Sequence, residues 1–322
     1  MSSISHLASL YAGRYSVADF DREPRSLYLS MIHILSIPGK RIRPLLLLLS
    51  CDAFGGDVEQ ALPVSHAMEL FHNFTLVHDD IMDDASLRRG IPAVHEQFGL
   101  NAGILAGDAL LIYSYKHLCQ IESTALKSAL DIFNRTAIEI MEGQQMDIDF
   151  EKRLDVTLPE YMVMIGYKTS VLLACSLQIG AIIGSASAED QKHIYDFGMK
   201  LGLSFQIKDD WLDTFGESTK VGKKPGGDIL QNKKTYLLIT LLADMNDTDR
   251  TSLISLMSGA AEDVKISRVK ELYEKYHVST KTLAKVEALY QESIDALKAL
   301  SIPESDKANL YAMAEMIHRR DF

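Results

Sequence analysis

Cysteine is scarce in this chain and basic charge is in deficit. The three cysteines, Cys51, Cys119 and Cys175, are an odd number without metal-site spacing. Their apolar neighbours predict buried, reduced thiols and argue against a disulfide framework or a zinc site. With 33 Lys and Arg against 44 Asp and Glu, the formal net charge of −11 opposes nucleic-acid binding through bulk electrostatics, so any local basic cluster needs its own explanation. Long hydrophobic runs are missing from this reading as well. The apolar stretch Leu45–Leu49 is interrupted by Ser50 and Asp52, well short of the roughly 20 residues a membrane span needs. The first residues lack the basic start and apolar core of a secretory signal. A cytoplasmic protein with no integral membrane segment is expected. Internal repeats, low-complexity tracts and strand-like alternation are absent too, which leaves an all-α fold.

Helical periodicity dominates, and the Pro and Gly clusters fall between periodic segments. The pattern predicts helices over 25–36, 42–54, 60–84, 93–98, 102–121, 125–149, 158–185, 189–215, 233–245, 248–258, 262–276, 278–299 and 303–319. At 322 residues and 47% hydrophobic, the chain can bury a large core, and it is read as a single domain over residues 1–322. Loops are expected at Ala85 to Pro92 and at Gly216 to Asn232. The second of these is glycine-rich and basic, the composition of a lid that closes over a site.

Two of the helices carry the same acidic pattern, Asp79-Asp80-Ile81-Met82-Asp83 and Asp209-Asp210-Trp211-Leu212-Asp213. Residues four apart share a helix face, so Asp79 with Asp83, and Asp209 with Asp213, each present paired carboxylates. Such pairs repel and call for a cation. An all-oxygen set that leaves room for water and substrate phosphate suits Mg²⁺ better than a Ca²⁺ cage. One acidic run alone reads as a solvated face; two copies inside apolar helices do not.

Basic partners accompany them. Gly39-Lys40-Arg41-Ile42-Arg43-Pro44 opens a helix, and Arg88-Arg89-Gly90 follows the first acidic cluster. A mixture of arginine forks and lysine point charges suits a flexible diphosphate, although Arg41 alone reads as ordinary surface charge. Lys168, with Thr169, lies inside an apolar helix and needs an anionic partner. Gln206 shares a face with Asp209 and Asp213, and His72 lies two turns before Asp79. Met141, Met146, Met162 and Met164 read as core fillers, and His66, His95 and His193 as structural or exposed.

These residues, taken in order with Gly107-Asp108, Gly143-Gln144-Gln145-Met146-Asp147, Gly222-Lys223 and Asn232-Lys233-Lys234-Thr235-Tyr236, resemble the trans-isoprenyl diphosphate synthases, or polyprenyl synthetases. The resemblance implies a large antiparallel helical bundle around a deep central cavity, the isoprenoid synthase fold, as a homodimer. It implies a prenyltransferase that joins isopentenyl diphosphate head-to-tail to an allylic diphosphate (dimethylallyl, geranyl or farnesyl) and releases pyrophosphate. Carried over, Asp79, Asp80, Asp83, Asp209 and Asp213 hold Mg²⁺, three ions per site with substrate bound. Arg88, Lys168, Lys223 and Lys233 contact the allylic diphosphate, and Thr169 and Gln206 lie beside the allylic carbon. Lys40, Arg43, His72 and Arg89 bind isopentenyl diphosphate, and Arg319 and Arg320 resemble a basic closing tail. No side-chain general base is evident.

Product length, by the same resemblance, is limited below the first acidic motif, where Phe74 is bulky and Thr75 small. Five residues of helix rise only about 7.5 Å and turn about 140°, so the floor role of Phe74 rests on the resemblance, and a core aromatic is the competing reading. A short product follows, with farnesyl and geranylgeranyl diphosphate unresolved. A terpene cyclase, a head-to-head coupling enzyme and a non-catalytic synthase subunit are the rivals. A cyclase has no second diphosphate for Lys40, Arg43 and Arg89 to bind, a head-to-head enzyme takes two allylic substrates, and a non-catalytic subunit should carry damaged acidic motifs.

Overall fold

The computed structural model describes residues 2–121, 123–216, 226–257, 259 and 261–319. Among these, helices carry nearly everything: α1 (Ile4–Arg14), α2 (Arg25–Ser36), α3 (Ile42–Ala53), α4 (Val58–Met82), α5 (Val94–Phe98), α6 (Leu100–Leu118), α7 (Ser123–Glu151), α8 (Leu158–Ile165), α9 (Val171–Ile183) and α10 (Ala188–Phe215). There follow α11 (Gly227–Leu230), α12 (Tyr236–Asp244), α13 (Asp247–Met257), α14 (Glu262–Lys275), α15 (Val278–Lys298) and α16 (Glu304–Arg319). A two-residue hairpin, β1 (Leu87–Arg88) with β2 (Ile91–Pro92), and a π-helical turn, Gly166–Ser170, complete the set. The all-α expectation holds.

The chain divides into two compact units. The first comprises Met1–Thr136, Leu172–Asp196 and Ala296–Phe322. Its core is built on α3, whose Leu46, Leu47, Leu48 and Leu49 are all buried; a helix apolar on every side belongs inside. Beside it runs α4, capped by Asp57, whose side chain accepts from the Glu59 amide at 2.9 Å. The second unit comprises Ala137–Val171 and Phe197–Asp295. One of its clusters packs Phe150, Tyr161, Met164, Ile165, Ile207 and Tyr236; another packs Leu237, Leu241, Leu253, Val269 and Tyr273. A capping box at Thr157 and Glu160 starts α8 and so sets the position of Tyr161.

Several expectations need correction. The α1 helix escapes the periodicity because only Leu7 and Tyr11 are buried in it, too narrow a stripe to register. Both expected loops hold structure: the β1–β2 hairpin lies in the first and α11 in the second. Cys119 is exposed, unlike Cys51 and Cys175, because α6 ends one residue earlier and turns it outward. Met141 is 49% exposed and fills no core. The segment Leu158–Ile183, and not Leu45–Leu49, is the apolar stretch long enough to cross a membrane by length and composition, yet 67% of an 18-residue apolar stretch within it is buried inside the fold. It is core.

In the first unit His66 anchors α1 to α4. Its Nδ1 lies 3.1 Å from the Tyr11 hydroxyl, Tyr15 stacks on its ring at 3.9 Å and His117 meets it edge-on at 4.9 Å. Burial first, then His117 and Arg41, push its pKa down to about 3. Because the folded value lies below the unfolded one near 6.5, the stability is present above pH 6.5 and is lost as pH falls, at about 1.4 kcal/mol per pH unit for one such group. Urea unfolding at pH 8 and pH 5 should therefore show a marked drop for the parent and a smaller one for His66→Gln. Equal drops in the two proteins would mean that His66 does not carry the acid sensitivity.

Candidate active site

Both acidic motifs lie at the C-terminal ends of helices, where the carbonyl ends already concentrate negative charge and neither last turn carries a basic residue. In the first unit α4 stops at Met82, and Asp83 is its C-cap. The middle aspartate is committed internally: Asp80, 1% exposed, accepts two hydrogen bonds from Arg88 Nε, at 2.9 Å and 2.8 Å, and one from Arg88 Nη2 at 2.6 Å. Arg88 Nη2 also reaches Asp79 Oδ2 at 3.4 Å. The hairpin makes this possible. Arg89 and Gly90 take φ of +53° and +78° between β1 and β2, the two positive values of the tight two-residue turn whose twist suits a hairpin, and Arg88 is returned toward α4.

A basic cluster lies in the same unit. Arg89 Nη1 donates to the Pro38 carbonyl, and Arg41 pairs with buried Glu69 while donating to Leu35 O at 2.8 Å. Arg41 is thus a structural residue and not the surface charge it reads as. Arg43 has its Nε buried without a hydrogen-bond partner among the described residues. Burial lowers the Arg43 pKa to about 10, with Arg89 adding to the effect and Glu69 opposing it. His72 is held well below its ordinary value by burial and then by Arg43, Arg89, Arg88 and Arg41. Excess positive charge this dense is a site for an anion.

In the second unit the same division recurs. Asp209 is exposed and Asp213 half-buried, whereas Asp210 is buried and accepts from the Tyr161 hydroxyl at 2.5 Å, the Tyr236 amide at 3.1 Å and Gln206 Nε2 at 3.2 Å. Its pKa is still pushed up to about 6, by burial and by Asp209 against the pull of these donors. Asp228, at the start of α11, donates its amide to Asp213 Oδ2 at 3.0 Å. Its carboxyl is pushed up to about 7 by burial and by Asp210, Asp213 and Asp209. Reading the pattern alone misses Asp228, which lies outside either acidic motif.

The π turn explains Lys168 and Thr169. A Cβ on Gly143 of α7 would come within 2.4 Å of the Lys168 amide, so only glycine lets α7 approach this turn. π insertions recur where a side chain must be re-aimed. Lys168 Nζ reaches Asp147 Oδ2 at 2.6 Å, the anionic partner its apolar surroundings demand, and Thr169 Oγ1 donates to Gln206 Oε1 at 3.2 Å. Lys233 follows α11 and is half-buried. Lys40 is exposed, and Arg319 pairs with Glu315 at 2.5 Å. Lys223 and Arg320 lie outside the described residues. Phe74, 7% exposed, meets Phe71 at 5.4 Å and His78 at 5.0 Å, while the Thr75 hydroxyl donates to His72 O at 2.8 Å.

Among the described residues no three His, Cys, Asp or Glu side chains converge as a ready-made metal centre. The donor chemistry nevertheless fits a hard divalent cation. Burial raises both Asp210 and Asp228, with Asp209 adding to the first and Asp210, Asp213 and Asp209 to the second, and all of the candidate ligands are carboxylate oxygens.

Tyr161 is a residue that periodicity hides in the core. Tyr161→Phe should leave the Asp210 carboxylate one donor short, at a cost of about 1–3 kcal/mol, and lower turnover about tenfold, as losing a group that orients functional residues does. Denaturation and steady-state rates of the one variant check both, and a wild-type rate would remove Tyr161 from the site.

An acidic, helix-borne constellation beside an anion-seeking cluster defines the class, an enzyme that handles diphosphates. Comparison with known proteins agrees. The pattern of the polyprenyl synthetase family matches residues 24–276. A short chain isoprenyl diphosphate synthase of Methanothermobacter thermautotrophicus is 40% identical over 264 residues, covering 82% of this chain and 80% of its own. A geranylgeranyl diphosphate synthase of Sulfolobus acidocaldarius is 40% identical over 303 residues, 91% of each. A crystal structure of a geranylgeranyl pyrophosphate synthase superposes with a TM-score of 0.93 at 39% identity, over 99% of both chains. This chain belongs to the polyprenyl synthetase family. It is a trans-prenyltransferase with the all-α isoprenoid synthase fold.

Proposed function

We propose that the protein condenses isopentenyl diphosphate with an allylic diphosphate and releases geranylgeranyl diphosphate, with farnesyl diphosphate as the nearer alternative. The observation that carries this reading is the Arg43, His72 and Arg89 cluster, cationic in excess and with a buried Arg43 Nε lacking a partner. A second diphosphate answers it, and a terpene cyclase has none to offer. Lys40, Arg43, His72 and Arg89 then bind isopentenyl diphosphate. Asp79, Asp83, Asp209 and Asp213 would hold Mg²⁺, three ions when the allylic diphosphate is bound, with Asp80 and Arg88 bracing one set of carboxylates and Asp210 the other. When bound, Mg²⁺ supplies Lewis acidity that neutralises the charge gathering on the departing diphosphate. Lys168, Lys223 and Lys233 add positive charge to the same group. Thr169 and Gln206 face the allylic carbon, and apolar walls keep water from it while the isopentenyl double bond attacks. The final proton leaves to the released pyrophosphate, so no side-chain base is needed.

The two compact units serve as one catalytic domain over residues 1–322. Association as a homodimer is supported by Leu105 and Ile112 on α6, 58% and 67% exposed and seven residues apart on one face. The acidic charge and the burial of Leu158–Ile183 support a cytoplasmic setting. The deciding experiment incubates the protein with isopentenyl diphosphate and dimethylallyl, geranyl or farnesyl diphosphate, with Mg²⁺ or with chelator, and separates the products. Elongation ending at twenty carbons, abolished by chelator, is expected. A cyclic hydrocarbon, or failure to incorporate isopentenyl diphosphate, would overturn the reading.

A further inference from the structure

Glu69 lies on α4 three residues before His72, and it is 5% exposed. Its carboxylate pairs with Arg41 and accepts from Asn73 Nδ2 at 3.0 Å, while the same Asn73 nitrogen donates to the Glu69 carbonyl at 2.8 Å. The Glu69 side chain is therefore pinned from its own helix. Arg41, in turn, spreads its guanidinium between Glu69 and the Leu35 carbonyl at the end of α2. Its backbone is left-handed, φ 49° and ψ 38°, at the N-cap of α3, where its side chain makes no capping bond. A non-glycine residue holds that conformation only where its surroundings dictate it.

The same connection is fastened from a second direction. Arg89 Nη1 donates to Pro38 O, and a Cβ on Gly39 would lie 2.8 Å from that nitrogen. The segment from Leu35 to Arg43 is thus tied to α4 through Arg41 and to the hairpin through Arg89. Lys40 immediately precedes Arg41, and Arg43 follows it by two residues. A buried ion pair is a poor source of net stability, because desolvating two charges offsets their attraction. Its use here is geometric.

We propose that Glu69 is a positioning residue for isopentenyl diphosphate: by anchoring Arg41 it fixes the left-handed turn from which Lys40 and Arg43 meet the diphosphate. It contributes no atom to the ligand. The proposal rests on the reading of the Lys40, Arg43, His72 and Arg89 cluster as the isopentenyl diphosphate site. Glu69 is also the negative charge that offsets the crowding of Arg43 and Arg89. Arg41 could not be replaced by lysine, because one ammonium cannot span Glu69 and the Leu35 carbonyl as a planar fork does.

The test measures KM for each substrate and kcat in Glu69→Gln, Arg41→Met, Arg41→Lys, their Glu69→Gln double variants and Arg43→Gln, all in the full-length protein. Glu69→Gln should raise KM for isopentenyl diphosphate about tenfold, as loss of a group that orients binding residues does, with KM for the allylic diphosphate and kcat within about twofold of the parent. Arg41→Met and Arg41→Lys should reproduce that rise, and each double variant should be no worse than its worse single variant, since both changes cut one linkage. If Glu69→Gln does not fold, the Arg41 variants carry the test. A purely structural role would move both KM values together, and that result would overturn the proposal. An unchanged isopentenyl diphosphate KM in Glu69→Gln or Arg41→Met, while Arg43→Gln raises it, overturns the proposal and leaves the site assignment standing. No rise in Arg43→Gln overturns the assignment, and the proposal with it.

Discussion

Asp79→Ala and Asp209→Ala are each expected to lower turnover by on the order of 10³-fold, the scale of losing one preorganised electrostatic contact to the departing group, with helical content and thermal midpoint close to the parent. The middle aspartates should behave differently. Asp80→Ala removes the main counter-ion of Arg88, whose guanidinium makes three hydrogen bonds to that one carboxylate and would keep only the 3.4 Å contact to Asp79; removing one partner of a buried ion pair costs up to about 3–5 kcal/mol. Asp210→Ala likewise frees the Tyr161 hydroxyl and the Tyr236 amide. Within each motif, then, the outer positions should report on rate and the middle one on stability. Circular dichroism, thermal melts and single-turnover rates on the four variants separate the two kinds of effect. Near-normal turnover in folded Asp79→Ala or Asp209→Ala would remove that carboxylate from the reaction.

How far the sequence discloses this arrangement depends on the range of the interactions involved. The two acidic helices are legible because the four-residue spacing is local and the surrounding apolar periodicity is strong. The need of Lys168 for an anion is legible from its apolar neighbours, but the partner, Asp147, is not, because it comes from another helix brought close by the missing Cβ of Gly143. The π turn is hard to read because the residue it inserts shifts the helical register beside a segment apolar on nearly every side, where periodicity has little contrast. The commitment of Asp80 to Arg88 depends on a hairpin of two residues per strand, too short for alternation to register. Arg41 and Glu69, twenty-eight positions apart, read as unremarkable charges until α3 and α4 are packed together. Asp228 joins the second acidic set only because α11 forms in what reads as a glycine-rich loop.

Phe74→Ala is expected to change both stability and product. The ring is nearly buried, edge-on to Phe71 and to His78, and Phe71 continues the stack to Phe133 at 5.0 Å. Removing it from such a stack should cost about 3–5 kcal/mol, since the neighbours cannot collapse fully into the space left. These contacts agree with a core aromatic, and they do not by themselves make the ring a floor. The two roles diverge in their products. A floor residue, once truncated, leaves volume into which a longer hydrocarbon tail can extend before growth stops, while the carboxylates at the helix end keep their chemistry. The variant should then give products one or more five-carbon units longer than the parent's, at comparable initial rate, when assayed below its lowered melting midpoint. Thr75→Phe provides the converse: its half-buried hydroxyl now donates to His72 O, and a ring there should shorten the product. A destabilised Phe74→Ala with an unaltered length distribution would assign Phe74 to the core alone and move the limit on growth to another wall.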